Sequence, residues 1–162
     1  MKTTLKWDAD YCNEVVKVFF KDFEQVNSSI STHKRSSIFK SQQKDFFTWM
    51  IYKKCDDLVK DKLGEGYCVN NWVFGLRYDV GDYMIEHVDG EAAGDRVLSG
   101  GIELSDPSDY DGGIYHLHGK PARATRGEIF IHTLKDKHHV SEVTRGTRYS
   151  IHFTIGKVKY NL

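Results

Sequence analysis

Apolar residues recur at two different periods in the two parts of this chain. After Asp8 or Asp10, Cys12, Val16, Phe19, Phe23 and Val26 follow one another at helical spacing, and an aspartate ahead of such a run suits a helix N-cap. Phe47, Ile51, Cys55 and Leu58 mark a second helix that stops near Gly64 and Gly66. Core packing is the expected role of both stripes. The polar run from Asn27 to Ser37 between them reads as a loop, with a short strand at its end.

Beyond Gly66 the period shortens. WVFGLRY, RVLSGGIEL, IYHLH, EIFIHTL and RYSIHFTI are short β-rich runs separated by Gly, Asp and Pro, which suggests a sandwich or barrel. In the last run Tyr149, Ile151, Phe153 and Ile155 alternate with Arg148, Ser150, His152 and Thr154. Side chains on a strand alternate between faces, so this strand has one apolar face and one polar, charged face. Two helices followed by strands is an α+β order, with the helices buttressing one face of a β-sandwich.

Composition narrows the class further. At 162 residues, 40% hydrophobic and 13% aromatic, the chain can fill one core. Lys+Arg and Asp+Glu both total 23, so no general attraction to nucleic acid or anionic membrane follows. Lys34, Arg35 and Lys40 leave room only for a local basic patch. Cys12, Cys55 and Cys68 sit at no metal-ligand spacing and read as reduced thiols. With no apolar leader at the amino terminus and no membrane-length apolar run, a soluble cytoplasmic protein is expected.

His87-Val88-Asp89 sets an imidazole and a carboxylate two residues apart, and on an extended segment both reach the same side, where they can share a metal. With 8 histidines and many aspartates in the chain, chance supplies such a pair, so the motif gains meaning only from its context. His116 and His118 have the same spacing and read as exposed strand histidines. The context of His87 is specific. Tyr78-Asp79-Val80-Gly81 precedes it, Gly112-Gly113 and Gly127 follow, and the chain closes with His138-His139-Val140-Ser141-Glu142-Val143 and Gly146-Thr147-Arg148-Tyr149-Ser150.

The order Y-x-x-G, H-x-D, G-G, H-x-V-x-x-V, G-x-R-x-S resembles the prolyl 4-hydroxylase-like branch of the 2-oxoglutarate and iron(II) dioxygenases, from about Trp72 to Ile155. The resemblance implies a double-stranded β-helix, a cupin-like jelly roll, supported by the two N-terminal helices. The expected organisation is one domain over 1–162, with helical support over about 8–63 and the jelly-roll core over about 72–156. It also implies His87 and Asp89 as ligands of Fe(II), with the third being His138 or His139. The family register of the following valines and of a basic residue ten positions on selects His138. Two histidines and a carboxylate on one face of an octahedral ion leave three positions free for 2-oxoglutarate and O2. Arg148 would grip the far (C5) carboxylate of 2-oxoglutarate, with Ser150 and Tyr78 beside it, and ascorbate would serve as reductant. Oxidative decarboxylation to succinate and carbon dioxide, coupled to substrate hydroxylation, is the implied reaction.

Several positions depart from the family pattern. Met84 stands where relatives often carry an aromatic, and Thr154 where many have tryptophan. Leu134-Lys135-Asp136-Lys137 replaces an often apolar stretch ahead of the third ligand. Strand parity points Glu103 inward where hydroxylases of this branch often place a tyrosine near the C5 carboxylate, and Tyr115 is the candidate to replace that hydroxyl. The leading expectation is a hydroxylase of a residue within a polypeptide, proline first, with no membrane partner and nucleic acid disfavoured. An oxygenase of a small molecule or free amino acid and a non-catalytic cupin-like binding module are the competing readings. Arg148 and Ser150 speak against the last, since a binding module has no need of a cosubstrate anchor.

Overall fold

The computed structural model describes residues 5–20, 24–31, 34–40, 46–91 and 95–158. Helix α1 spans Ala9–Phe19, and the Asp8 side chain caps it by accepting the Tyr11 backbone N–H at 2.8 Å. Helix α2 spans Phe46–Leu63 and ends at Gly64, whose φ of +100° lies in the left-handed region that favours glycine. Cys12 and Val15 of α1 and Ile51, Cys55, Leu58 and Val59 of α2 are buried in one apolar cluster. The cysteines are free thiols. Among the described residues no helix is long and apolar enough to cross a membrane.

Between the helices the strand expected at the end of the polar run is β2 (Lys34–Lys40), but the expected loop ahead of it is a second strand, β1 (Glu24–Ser31), paired antiparallel with β2. Val26, expected on the first helix, therefore belongs to a strand, while Phe23 lies outside the described residues. The physical reason is tertiary: β2 pairs through its backbone with two later strands, β3 (Tyr67–Tyr78) and β4 (Tyr83–His87). Backbone pairing of this kind can recruit a serine-rich segment whose own β-propensity is modest.

The remaining strands are β5 (Arg96–Glu103), β6 (Tyr110–Asp111), β7 (Tyr115–Leu117), β8 (Lys120–Pro121), β9 (Ile129–Thr133), β10 (His138–Val140), β11 (Arg145–Gly146) and β12 (Arg148–Lys157). One sheet runs in the order β8-β7-β10-β4-β2-β3-β12-β5-β9, with β1 added to β2, and β6 pairs with β11 separately. The sheet folds over on itself. Leu76 and Tyr78 of β3 share a buried cluster with Met84 of β4, Tyr115 of β7 and Val140 of β10, so its two ends face each other as the layers of a double-stranded β-helix.

Strand β12 organises both faces. Ile151, Phe153 and Ile155 are 0–2% exposed and pack with the helices, as their alternation predicts. Arg148 and Ser150, equally buried, lie on the other face between the layers. In register, Ser150 stands between Leu76 on β3 and Glu103 on β5. Gly127, which opens the turn into β9, is held by a close approach: at φ +82°, a Cβ there would sit 2.0 Å from the Trp7 carbonyl oxygen.

Candidate active site

His87 ends β4 and His138 begins β10, and the two are directly paired in register. Asp89 follows β4, and its N–H donates to the Leu134 carbonyl at 3.0 Å, fixing the carboxylate beside both rings. His87 Nε2 lies 3.5 Å and His138 Nε2 3.3 Å from Asp89 Oδ1. Ligand atoms of all three residues lie within 4.8 Å of one another. The Nδ1–H of His87 donates to the Ile85 carbonyl and that of His138 to the Asp136 carbonyl, both at 2.9 Å. Those bonds commit Nδ1 and leave Nε2 as the ring nitrogen that faces Asp89, the one a metal would take.

His139 points to the other side of β10, where it stacks on His116 with centroids 4.2 Å apart and planes 8° from parallel. It lies outside the group formed by His87, Asp89 and His138. His118 is exposed, and its Nε2–H donates to Asp136 Oδ1 at 2.8 Å.

The sequence reading missed His132. Its Nε2 is 2.9 Å from Asp89 Oδ2 and its Nδ1 is 2.8 Å from the Tyr115 hydroxyl. Beside an ionised carboxylate the Nε2–H donates, so Nδ1 accepts from the Tyr115 O–H and a chain of hydrogen bonds ends on Asp89. That chain occupies Oδ2 and leaves Oδ1 toward the two Nε2 atoms. Burial would raise the Asp89 carboxyl. The hydrogen bonds from His132, His138, His87 and Ser99 outweigh it and hold the group well below the usual carboxylate range. Parity on β9 was the available signal, since His132 shares a face with Phe130, which packs on the inner cluster.

A cavity of about 240 Å³ joins His87, Asp89 and His138 to Arg148. Arg148 is 2% exposed, and its Nε and Nη2 donate to Glu103 Oε2, both at 2.9 Å. Its Nη1 is buried without a partner. Tyr78 is paired in register with Arg148, and its ring lies 5.6 Å from the guanidinium. Tyr78 and Ser150 are both fully buried, and the Ser150 hydroxyl is 3.0 Å from His152 Nε2. Tyr115 does line the cavity, but its hydroxyl is spent on His132 rather than on the Arg148 end.

These donors fit the groups that the sequence reading implies. Two imidazole nitrogens and one carboxylate oxygen on one side of a site suit a divalent first-row ion such as Fe(II). A buried, unpartnered guanidinium nitrogen at the far end of the same cavity suits an anionic oxygen.

No family model matches the chain. Comparison of the structure with solved ones shows a prolyl 4-hydroxylase-like fold of the 2-oxoglutarate–iron(II) oxygenases. A Pseudomonas putida prolyl-4-hydroxylase aligns at TM-score 0.68 and 16% identity, covering 94% of this chain and 89% of that one. A viral collagen prolyl hydroxylase from Paramecium bursaria Chlorella virus-1, solved as a 2-oxoglutarate complex, aligns at 0.68 and 18%, covering 94% and 92%. A Trichoplax adhaerens prolyl hydroxylase in complex with a hypoxia-inducible-factor peptide fragment aligns at 0.67 and 14%, covering 91% and 77%.

In sequence, the curated relatives are PKHD-type hydroxylases. One from Gluconacetobacter diazotrophicus is 27% identical over 80% of this chain and 66% of its own length. One from a Caulobacter species is 36% identical over 49% and 40%. The alignments thus span just under two thirds of the first relative and less than half of the second.

Proposed function

We propose that this chain is an Fe(II)- and 2-oxoglutarate-dependent hydroxylase that acts on a residue within a polypeptide, prolyl before other side chains. The observation that carries the reading is the single cavity with His87, Asp89 and His138 at one end and the unpartnered Nη1 of Arg148 at the other. The hydroxylase names of the sequence relatives and the oxygenase fold support the reaction class. A neighbour of the same fold with a bound peptide supports a polypeptide substrate.

In this reading His87, Asp89 and His138 hold the metal, and His132 with Tyr115 keeps Asp89 aimed at it. When bound, iron and 2-oxoglutarate supply the oxidising chemistry, which yields succinate and carbon dioxide and transfers one oxygen atom to substrate. Arg148 receives the C5 carboxylate and thereby sets the direction in which the cosubstrate enters. Phe74, Leu76 and Met84 give the cavity an apolar wall that excludes water and strengthens each polar contact within it. Arg96, His152 and Thr154 line the same cavity and are partly exposed, so they are placed to meet a substrate.

The test supplies Fe(II), 2-oxoglutarate and ascorbate with proline-rich peptides, mixed-sequence peptides and free amino acids, and follows succinate together with a mass gain of one oxygen. Coupled turnover on peptide is the expected result. Turnover on free amino acids alone would move the substrate to small molecules. The absence of succinate under every condition, with metal bound, would leave a binding module.

A further inference from the structure

The cation at the far end of the cavity is already paired. Glu103 is 2% exposed, and one of its oxygens takes both the Nε–H and the Nη2–H of Arg148. The pair is neutral as it stands. The second oxygen, Oε1, has only a long contact of 3.4 Å from the Ser105 N–H. The other groups around the pair offer little charge to adjust. Tyr110 of β6 is pushed up by burial and stays a neutral phenol, and Cys12 of α1, pushed up to about 11, stays a thiol. Tyr78 of β3 presents its ring. Arg123, before β9, is exposed and lies over the Tyr110 ring, where solvent screens it.

A dicarboxylate whose far end meets Arg148 Nη1 would place two carboxylates on one buried guanidinium. One buried negative charge would then be left uncompensated, which a low-dielectric site disfavours strongly. Neutralising one carboxylate relieves it, and like-charge neighbours do this by raising one group's proton affinity. Glu103 is the fitted group. Burial already pushes it up against the opposing pull of Arg148, and its Oε1 is the less engaged oxygen.

Resting on the proposed cosubstrate, we propose that this site takes up one proton from solvent with each 2-oxoglutarate it binds, and that Glu103 Oε1 receives it. Glu103 is thus a positioning residue: ionised, it holds Arg148 when the cavity is free; as the neutral acid, it cedes the charge of Arg148 to the ligand. No bond other than O–H forms, and nothing is oxidised.

The experiment is calorimetric titration of the Mn(II)-loaded protein with 2-oxoglutarate, in buffers of different ionisation enthalpy between pH 6 and 8.5. Wild type should absorb close to one proton per ligand, and its Kd should rise about tenfold per pH unit where Glu103 is ionised in the free protein. Glu103→Gln should show neither the uptake nor the slope, with its fold checked by thermal unfolding. Pyruvate, which lacks the far carboxylate, should bind wild type without uptake. Binding of 2-oxoglutarate with no proton absorbed by wild type overturns this inference and leaves the proposed function intact. Uptake that persists in Glu103→Gln overturns it by assigning the proton elsewhere. No binding of 2-oxoglutarate to the metal-loaded protein refutes the function and this inference together.

Discussion

Removing Arg148 should cost stability as well as ligand affinity, because it strands a buried carboxylate. In Arg148→Met the aliphatic volume is largely kept while Glu103, 2% exposed, loses both of its strong donors. Breaking a buried ion pair from one side typically costs about 3–5 kcal/mol. A domain of this size has roughly 5–15 kcal/mol in total. At about 2–4 °C per kcal/mol for domains of 150–250 residues, Tm should fall by roughly 6–20 °C. The double variant Arg148→Met/Glu103→Leu removes both charges and should recover most of that loss, since an apolar replacement of a whole pair is often neutral or better.

The pH dependence gives an independent sign. With Arg148 gone, burial outweighs the weaker pull of the Ser105 N–H and of Arg123 on Glu103, so its folded pKa stands above its unfolded value of about 4.3. The folded state then binds more protons than the unfolded one. Stability of the single variant must fall as pH rises from about 4.3 through the raised folded pKa and level off above it. The deficit relative to the double variant should therefore be small at pH 5 and large at pH 8. Thermal and urea unfolding of the metal-free proteins, followed by circular dichroism, measures it. Equal stability of single and double variants at every pH would refute the premise that the pair is desolvated.

Three further outcomes are expected. His138→Ala should abolish Mn(II) binding in a calorimetric titration, whereas His139→Ala, on the opposite face of β10, should leave it close to wild type. His132→Leu removes the donor to Asp89 Oδ2 and should weaken Mn(II) binding about 10–100-fold, the usual range for a hydrogen-bonded support of a metal ligand. Tyr115→Phe should weaken it less, because His132 keeps its bond to Asp89. Gly127→Ala, at φ +82° with the Trp7 carbonyl 2.0 Å from the added carbon, should lower stability by at least about 1–3 kcal/mol in thermal unfolding.

Local chemistry was legible in the sequence; pairing across the sheet was not. Asp8 announces α1, Gly64 ends α2, and the two faces of β12 follow from alternation alone, because each depends on a few neighbouring residues. The spacing from His138 to Arg148 is carried by one continuous segment, which is why its register favoured His138 over His139. Between the helices only a short strand was legible; β1 and the pairing escaped because β2 is held by β3 and β4, whose positions a local pattern does not encode, and β1 is held by β2.

The interior polar residues show the same division more sharply. Parity turned Glu103 inward, but its meeting with Arg148, 45 residues away, exists only because β5 lies beside β12. Likewise Ser99 and His132 are aligned by the pairing of β5 with β9, and His132 bonds to Asp89. Taken singly, Glu103 and His132 would be expensive in a core, and each costs less because its partner arrives from another strand. The cavity is thereby divided chemically: Tyr115 and His132 are committed to Asp89 at the metal end, and Glu103 to Arg148 at the other. Under the proposed function, selectivity for the substrate falls to Arg96, His152 and Thr154, the partly exposed polar side chains of the same cavity. A substrate able to hydrogen-bond there is favoured over one that is not, because a polar group left unpaired when the mouth is covered costs about 1–3 kcal/mol.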